Sequence, residues 1–278
     1  MLSTCPFNYS GSKSGYVNLF SIEEPLLDLF SGGGGFWSNS KSADTIVNDI
    51  NVDIINLQKL IYNMSYSELL EFIDKVSNIT NCIESKDDYN NLRDNFNSSK
   101  DPVLFYSVLV CCMNNMIRYN SSGKFNQTWG KRKFSNSLKN KLIDFYNRIK
   151  VKQVEFTSNS FDVILQSPLC NNRLIFVDPP YLISAAAYNS SWNEQREKTL
   201  YELLRGKKFL LTNYLKKGDS YNEYLKDFIK DYPYLKIRSG EMKSQRTQEQ
   251  FIEILVASDL SILDKYESNF AKLDKFFI

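Results

Sequence analysis

Residues 174–181 of the chain run Leu-Ile-Phe-Val-Asp-Pro-Pro-Tyr, and this stretch decides the fold. Its first four residues are apolar, which predicts a short strand buried on both faces, as in a parallel sheet. The two prolines end the strand, because proline has no amide proton to donate to a sheet ladder. Asp178 and Tyr181 should therefore lie at the carboxyl edge of an open α/β sheet, where such sheets bind their ligands.

The corner formed by Asp178, Pro179, Pro180 and Tyr181 has the chemistry to hold a flat base. The carboxylate and the Pro179 carbonyl can accept hydrogen bonds from an exocyclic amino group, and the tyrosine ring can stack on the base. A strand that simply ends at two prolines beside an incidental tyrosine would give the same tetrapeptide. The corner alone therefore indicates a ligand site without identifying the ligand.

A second strand edge with ligand-binding character lies near the N-terminus. Residues 25–30 predict a strand, and this strand runs directly into Ser31 and the four glycines at 32–35. Glycines at such an edge let the backbone approach a ligand closely, because no Cβ intervenes. Residues 45–50 predict the next strand, and Asp49 near its end can accept hydrogen bonds from ribose hydroxyls. The glycine spacing does not match Gly-x-Gly-x-x-Gly, and a plain tight turn would look similar, but the acid favours a nucleoside ligand.

Composition excludes several classes of function. The 278 residues are 42% hydrophobic and 24% charged, as in globular proteins with one large domain or a domain that carries an insert. The chain has no histidine, which excludes Ser-His-Asp hydrolysis and His-Glu-x-x-His zinc chemistry. Its five cysteines include no Cys-x-x-Cys pair, so we expect reduced cysteines and no bound metal. Because no apolar run is long enough to cross a bilayer, we expect a cytoplasmic protein with no membrane partner.

A basic and mainly helical region separates the predicted strands into two groups. Residues 111–150 hold nine lysines and arginines against one aspartate, with aromatic residues interleaved. Such a segment indicates either a polyanionic partner or an ordinary solvated basic face. We interpret residues 52–151 as a target-recognition insert within an α/β domain formed by residues 1–51 and 152–278.

Part of this insert predicts a hairpin with the chemistry to contact nucleic acid. Two short arms flank the turn residues Ser-Ser-Gly-Lys at 121–124. The first arm contains Arg118 and Asn120, whose side chains suit guanine and adenine edges in the major groove. Lys131 and Arg132, after the second arm, suit phosphates or bases.

The C-terminal part of the chain predicts how the sheet closes. Residues 236–238 and 251–256 have the character of an antiparallel pair of strands. Residues 239–250 between them are mostly polar and predict a connecting loop.

Taken in order, these motifs resemble those of the Dam-type DNA adenine-N6 methyltransferases, and most of all the bacteriophage Dam-like members. The resemblance extends from about residue 7 to residue 256, with the cofactor motif before the catalytic motif. It is carried by Asn115-Met116-Ile117-Arg118-x-Asn120, Gly130-Lys131-Arg132, Asp178-Pro179-Pro180-Tyr181-Leu182-Ile183 and Tyr188-Asn189.

The resemblance implies a fold, a reaction and partners. The fold would be a Rossmann-like, mostly parallel, seven-stranded methyltransferase sheet with a helical target-recognition insert that bears a β-hairpin. The reaction would be methyl transfer from S-adenosylmethionine to adenine N6 of a flipped-out base, with S-adenosylhomocysteine as product. The substrate would be double-stranded DNA, and the enzyme a monomer or weak dimer in the cytoplasm of a bacterial or phage-infected cell.

The resemblance also implies roles for individual residues. In the family, the acid of the first strand and the following turn surround the methionine portion of the cofactor, the acid of the second strand binds ribose, and an aromatic residue covers the adenine. The implied cofactor residues are Tyr9, Lys13, Asp28, Phe30, Ser31, Gly32, Gly33, Gly34, Asp49, Phe161, Asp178 and Tyr188. The implied catalytic residues are Asp178, Pro179, Pro180 and Tyr181, and the implied DNA contacts are Met116, Arg118, Asn120, Asn126, Thr128, Lys131 and Arg132.

One departure from the family pattern bears on the target sequence. The second hairpin arm of the family usually has proline, an aromatic residue and glycine, whereas this chain has Thr128, Trp129 and Gly130. The implied target is GATC or a related short site. Cytosine-N4 transfer is a competing interpretation, although that group more often carries serine in place of Asp178. An RNA or free-nucleotide substrate would also fit the corner, and a catalytically silent DNA-binding relative would share the same motifs.

Overall fold

A computed structural model of the chain describes residues 5–7, 9, 11, 13, 16, 22–184, 192–243 and 248–264. Its strands belong to a single sheet. In chain order they are β1 (Leu26–Asp28), β2 (Asp44–Asn48), β3 (Gln153–Thr157), β4 (Leu174–Val177), β5 (Phe209–Lys217), β6 (Ser220–Tyr221), β7 (Tyr234–Lys243) and β8 (Gln248–Ala257).

The strand order across the sheet is β3-β2-β1-β4-β5-β8-β7, and the two-residue β6 pairs with the end of β5. All pairs from β3 to β5 are parallel. The pairs that β8 makes with β5 and β7 are antiparallel. The predicted mostly parallel α/β sheet of seven strands is therefore confirmed, with β6 as a short addition.

Strand β1 lies between β2 and β4, so the chain leaves β1 toward one side of the sheet and later returns on the other side. Such a reversal opens a crevice at the carboxyl ends of the central strands. The residues of β1 and β4 are all buried, because both strands are central and covered on both faces. Asp28 ends β1 and Asp178 directly follows β4, which places both acids at this crevice.

Helices cover both faces of the sheet. Between β2 and β3 lie α1 (Val52–Asn63), α2 (Tyr66–Asn81), α3 (Lys86–Ser99), α4 (Pro102–Cys111) and α5 (Asn136–Ile149). The later helices are α6 (Phe161–Gln166), α7 (Glu194–Leu204), α8 (Glu223–Phe228) and α9 (Leu260–Asp264). No helix among the described residues is both long and apolar enough to cross a membrane.

Two hydrophobic clusters lie on opposite sides of the sheet. The larger joins sheet residues such as Leu26 and Phe176 to Phe72 of α2 and Phe105 of α4. The helices between β2 and β3 therefore share their core with the sheet. The smaller cluster packs alternate sheet residues, such as Val177, against α6, α7 and α8. The division of the chain at residues 51 and 152 into a catalytic domain and an insert stays a prediction.

The predicted hairpin forms between α4 and α5, but its pairing is irregular. Two isolated antiparallel bridges join its arms, between Cys112 and Trp129 and between Tyr119 and Phe125. At its tip the amide of Asn120 donates to the carbonyl of Lys124 at 2.9 Å.

The closing pair of strands is longer than the sequence predicts. Strand β7 continues to residue 243 and β8 begins at residue 248, so most of the predicted loop at 239–250 is strand. The polar residues of this segment pair across the two strands. Polar side chains are tolerated there because an antiparallel extension at the edge of the sheet can face water.

Candidate active site and nucleic-acid interface

A cleft of about 1020 Å³ opens at the carboxyl ends of β1, β2 and β4 and extends to the first hairpin arm. Three of the predicted residue groups meet in it. It is lined by the predicted cofactor residues Tyr9, Lys13, Asp28, Phe30, Ser31, Gly32, Gly33 and Asp49, by the corner Asp178, Pro179, Pro180 and Tyr181, and by the hairpin residues Met116, Arg118 and Asn120.

The glycine turn after β1 is tightly enclosed. Gly32 and Gly34 have φ angles of 48° and 79°, in the left-handed region that favours glycine. A Cβ on Gly32 or on Gly33 would lie 2.8 Å from a carbon of the Tyr9 side chain. The absence of a Cβ therefore lets the Tyr9 ring pack against the turn, and Tyr9 in turn lines the cleft.

Asp28 lines the cleft and has one buried carboxylate oxygen without a hydrogen-bond partner among the described residues. Its Oδ2 accepts a hydrogen bond from the amide of Trp37 at 3.2 Å, whereas its buried Oδ1 has no partner among the described residues. The buried Ser31 hydroxyl also has no partner there. Burial raises the pKa of Asp28 well above its ordinary value, and the nearby acids Asp178 and Asp49 raise it further. A cationic ligand group beside Oδ1 would relieve this cost.

Asp49 fixes the geometry of the turn. Its Oδ2 accepts a hydrogen bond from the amide of Gly32 at 2.8 Å, and its Oδ1 accepts one from the amide of Asn51 at 2.8 Å. Burial raises the pKa of Asp49, and these two amide hydrogen bonds oppose that rise. Each carboxylate oxygen has a second lone pair, so both can also accept from ligand hydroxyls.

The corner after β4 holds an ion pair. Asp178 Oδ1 lies 3.0 Å from Lys13 Nζ and accepts a hydrogen bond from the Thr212 hydroxyl at 2.9 Å. Burial raises the pKa of Asp178, and the ammonium of Lys13 opposes that rise. Burial lowers the pKa of Lys13, but the carboxylates of Asp178 and Glu253 more than offset this, so its pKa is raised. Lys13, a predicted cofactor residue, therefore lies in the predicted catalytic corner.

The Tyr181 ring is held at its edge and at its hydroxyl. It is 9% exposed, and its centroid lies 4.6 Å from that of Tyr214 in an edge-to-face contact. Its hydroxyl donates to Glu253 Oε1 at 2.7 Å. A ring fixed in this way loses little conformational entropy when a base stacks on it.

Two other predicted cofactor residues lie away from the lining of the cleft. Phe161 begins α6 and is buried, with its ring centroid 5.9 Å from that of Phe30 and 5.4 Å from that of Trp192. Gly34 faces inward, toward Trp37. Tyr188 lies outside the described residues.

The hairpin side chains are partly engaged with each other. Arg118 donates from Nε to Asn126 Oδ1 at 2.9 Å, which braces the two arms. Asn120 Oδ1 accepts from the amides of Ser122 and Lys124, at 3.0 Å each, and so organises the turn. Both Arg118 and Asn120 still line the cleft.

The remaining predicted DNA contacts lie toward the base of the hairpin. The carbonyl of Thr128 accepts from the amide of Met113 at 2.8 Å, and Lys131 has its ammonium 5.8 Å from the centroid of the Trp129 ring. Arg132 lines a separate cavity of about 280 Å³ together with Lys133 and Lys141. Its side chain donates to Asn115 Oδ1 at 2.6 Å.

Comparison with known proteins identifies the family. A family model described as D12 class N6 adenine-specific DNA methyltransferase matches residues 9–254 of the chain. The chain belongs to this family. The matched D12-class segment includes the glycine turn, the hairpin and the corner after β4.

Individual relatives agree with this D12-class membership. Type II methyltransferase M.FokI of Planomicrobium okeanokoites is 29% identical over 246 residues, which cover 82% of this chain and 38% of the relative. Modification methylase StsI of Streptococcus sanguinis is 28% identical over 80% of this chain and 37% of its own length. DNA adenine methylase of Escherichia coli K12 is 28% identical over 66% of this chain and 67% of its own length. The chain thus spans less than half the length of the first two.

The D12-class site also contains a contact that sequence reasoning missed. Tyr119, in the first hairpin arm, donates from its hydroxyl to Asp53 Oδ2 at 2.7 Å. Asp53 lies in the first turn of α1, directly after the cofactor-side loop, and also pairs with Lys100 at 3.4 Å. Burial and then the Asp53 charge raise the pKa of Tyr119, so its hydroxyl stays protonated at neutral pH. This contact ties the hairpin to the edge of the cleft formed by the loop after β2.

For the DNA methyl transfer that we propose for this site, we expect Tyr119→Phe to raise the KM for DNA about 10-fold and to leave kcat within about 3-fold, because one hydrogen bond to a charged group contributes about 1.5 kcal/mol. Steady-state kinetics with varied DNA concentration measure both constants. Tyr66→Phe, which removes an exposed hydroxyl on α2, is the control. An unchanged KM in Tyr119→Phe would show that the contact does not position the hairpin.

Proposed function

We propose that this chain transfers a methyl group from S-adenosylmethionine to N6 of an adenine flipped out of double-stranded DNA. The observation that carries the proposal is the cleft of about 1020 Å³, which Asp28, Asp178 and hairpin residue Arg118 line together. Membership of the D12 class supports the same reaction. Two relatives support it as well: M.FokI is named a type II methyltransferase, and the Escherichia coli relative is named a DNA adenine methylase.

The polar atoms at the first strand edge fit S-adenosylmethionine. The unsatisfied Asp28 Oδ1 suits the ammonium of its methionine portion, and the Ser31 hydroxyl suits a neighbouring polar group. Asp49, at the end of the next strand, suits the ribose hydroxyls. When bound, S-adenosylmethionine supplies an electrophilic methyl group on a sulfonium.

Asp178 and Pro179 would bind the amino group of the target adenine. Among the described residues, the partners of the Asp178 carboxylate contact Oδ1, so we assign Oδ2 to the adenine amino group. Accepting hydrogen bonds from N6 draws electron density toward it and aligns its lone pair with the methyl carbon. Direct displacement needs no strong general base, which is consistent with a chain that has no histidine.

Tyr181 would stabilise the flipped adenine. Extrusion of a base from the duplex costs a few kcal/mol, since stacking and pairing are lost. Stacking of a base on an aromatic ring contributes about 1–3 kcal/mol and so offsets part of that cost. The contacts of Tyr181 with Tyr214 and Glu253 hold the ring in place before the base arrives.

The test is expression of the chain in a host that lacks DNA adenine methylation, followed by sequencing that detects N6-methyladenine. We expect modified adenines at one short site, GATC or a related sequence. Methyl groups found only on cytosine N4 or only on RNA would contradict the proposal. A folded protein that binds DNA and S-adenosylmethionine but leaves no labelled methyl on DNA would instead be a silent relative.

The hairpin should contain residues of two kinds. We expect Arg118→Ala to weaken discrimination at one base pair by about 1–3 kcal/mol, because an arginine at a base edge reads sequence. Lys131→Ala should weaken binding to all DNA sequences alike and reduce the salt dependence of that binding, as expected for a phosphate contact. Binding to a panel of single-substituted duplexes at several salt concentrations measures both effects. Lys226→Ala, at an exposed position of α8, is the control, and identical specificity profiles for the two hairpin variants would contradict this division.

A further inference from the structure

Glu253 is a fully buried carboxylate at the edge of the corner formed by Asp178 and Tyr181. It lies on β8, paired with Tyr214 of β5 on one side and Arg238 of β7 on the other. Neither the sequence motifs nor the family resemblance assigns it a role.

Four donors surround the Glu253 carboxylate. Oε1 accepts a hydrogen bond from the Tyr181 hydroxyl at 2.7 Å and lies 3.8 Å from Lys13 Nζ. Oε2 accepts from the Tyr16 hydroxyl at 2.9 Å and from Arg238 Nε. A buried carboxylate is costly unless paired, and here the pairing reaches two residues of the corner as well as Arg238.

Lys13 lies between two carboxylates. Its ammonium is 3.0 Å from Asp178 and 3.8 Å from Glu253, while Arg238 contacts only the second of these acids among the described residues. The positive charges of Lys13 and Arg238 therefore equal in number the negative charges of Asp178 and Glu253. Without the charge of Glu253, Lys13 would pair with Asp178 alone and the corner would carry net positive charge.

This balance matters for the proposed reaction. As the N6–methyl bond forms, the carbon–sulfur bond breaks and the sulfur keeps its electron pair, so positive charge passes to the adenine amino group until an N6 proton is lost to water. The Asp178 carboxylate stabilises that charge best when the ammonium beside it is shared with another acid. The same acid fixes the hydroxyl of the ring on which the base would stack.

We propose that Glu253 is a positioning residue of the methyl-transfer site, which holds the Tyr181 hydroxyl and shares Lys13 so that Asp178 remains available to the adenine. This inference rests on the proposed function. It assigns to β8, which carries no residue of the motifs quoted above, an effect on the rate of the chemical step that acts through Tyr181 and Lys13.

The test compares Glu253→Gln with the wild-type protein in single-turnover methyl transfer to a duplex that contains the target site. Glutamine keeps the size of the side chain and an acceptor oxygen but removes the charge. We expect the single-turnover rate to fall about 10- to 100-fold, as is typical when a supporting partner of a functional group is lost. The Kd for S-adenosylmethionine should stay within about 3-fold, measured by calorimetry.

The pH profile provides a readout that a merely structural role would not change. The groups that face Glu253 are Lys13, Tyr16, Asp178, Tyr181, Tyr214 and Arg238. Among the influences on Asp178, the charge of Glu253 raises its pKa. Removal of that charge should therefore lower the pKa of Asp178 and move the acid limb of the rate profile to lower pH.

The matched control is Glu249→Gln, on the same strand, whose partly exposed side chain pairs with Lys217 at 3.7 Å and which should leave rate and profile unchanged. A wild-type rate and pH profile in Glu253→Gln would overturn the inference. If that variant does not fold, Tyr181→Phe removes only the phenolic oxygen that Glu253 holds, and an unchanged rate there would overturn it too. If the wild-type protein itself methylates no DNA, the proposed function fails and this inference fails with it.

Discussion

Asp178→Ala should abolish methyl transfer, and Asp178→Asn should reduce its single-turnover rate about 100- to 1000-fold, the loss that follows removal of one preorganised electrostatic contact. The amide of asparagine carries no charge to stabilise the adenine amino group as it becomes positive. Binding of S-adenosylmethionine should remain measurable, because Asp28 and Asp49 stay in place at the neighbouring strand edges.

Stability measurements separate this loss from misfolding. Burial raises the pKa of Asp178, so the ionised carboxylate destabilises the fold increasingly as pH rises through that pKa. Asparagine removes this penalty, although it also removes the partner of Lys13. These two effects oppose each other, so we expect the Tm of Asp178→Asn to stay close to that of the wild type at neutral pH. Asp227→Asn, at an exposed acid of α8, is the control, and full activity in Asp178→Asn would refute the catalytic assignment.

The second large effect is expected at Gly130, where the second hairpin arm crosses the end of α4. A Cβ there would lie 2.5 Å from the carbonyl oxygen of Cys112 and 2.8 Å from the Cα of Met113, and both neighbours are backbone. The amide of Gly130 also donates to the carbonyl of Cys111 at 2.8 Å. Because a backbone cannot move aside as a flexible side chain can, Gly130→Ala should displace the arm at a cost of about 3 kcal/mol.

The displaced arm should weaken DNA binding about 100-fold, since each 1.4 kcal/mol corresponds to a factor of about 10. Affinity for S-adenosylmethionine should change little. Fluorescence anisotropy with labelled duplex measures the first effect and calorimetry the second. Gly123→Ala is the matched control in the same hairpin, where φ is 70° and a Cβ would meet no atom within 4 Å, so only about 1 kcal/mol of backbone strain is expected. Equal DNA affinities in the two variants would mean that the close backbone contact at Gly130 does not hold the hairpin.

Local sequence was sufficient to predict the sheet edges, because apolar runs ended by prolines or glycines are local signals. Residues 174–177 form β4 as expected, and Asp28 and Asp178 face one cleft. Side-chain partners across strands could not be predicted in the same way. The ion pair of Lys13 with Asp178 joins residues far apart in the chain, and only the three-dimensional fold brings them together.

The closing strands show the same limit. Sequence reasoning treated residues 239–250 as a polar loop, and the register of β7 against β8, which pairs Arg238 with Glu253, could not be deduced from composition. The roles of the hairpin side chains could not be predicted for another reason. Asn120 has the side chain of a base-reading residue, but its oxygen also organises the turn, and both uses are compatible with the same sequence.

The irregular pairing of the hairpin has a consequence for how this family could change its target site. Among the described residues, two isolated bridges, a few single hydrogen bonds such as that from Arg118 to Asn126, and the close backbone contact at Gly130 hold the arms. No continuous ladder constrains the side-chain positions along the described arms. Residues such as Thr128 can therefore be exchanged during evolution without disturbing the strands that carry Asp28 and Asp178. One catalytic scaffold can then diversify in target sequence by a few substitutions in a segment of about twenty residues, and chimeras that exchange only this segment are the direct way to transfer specificity between relatives.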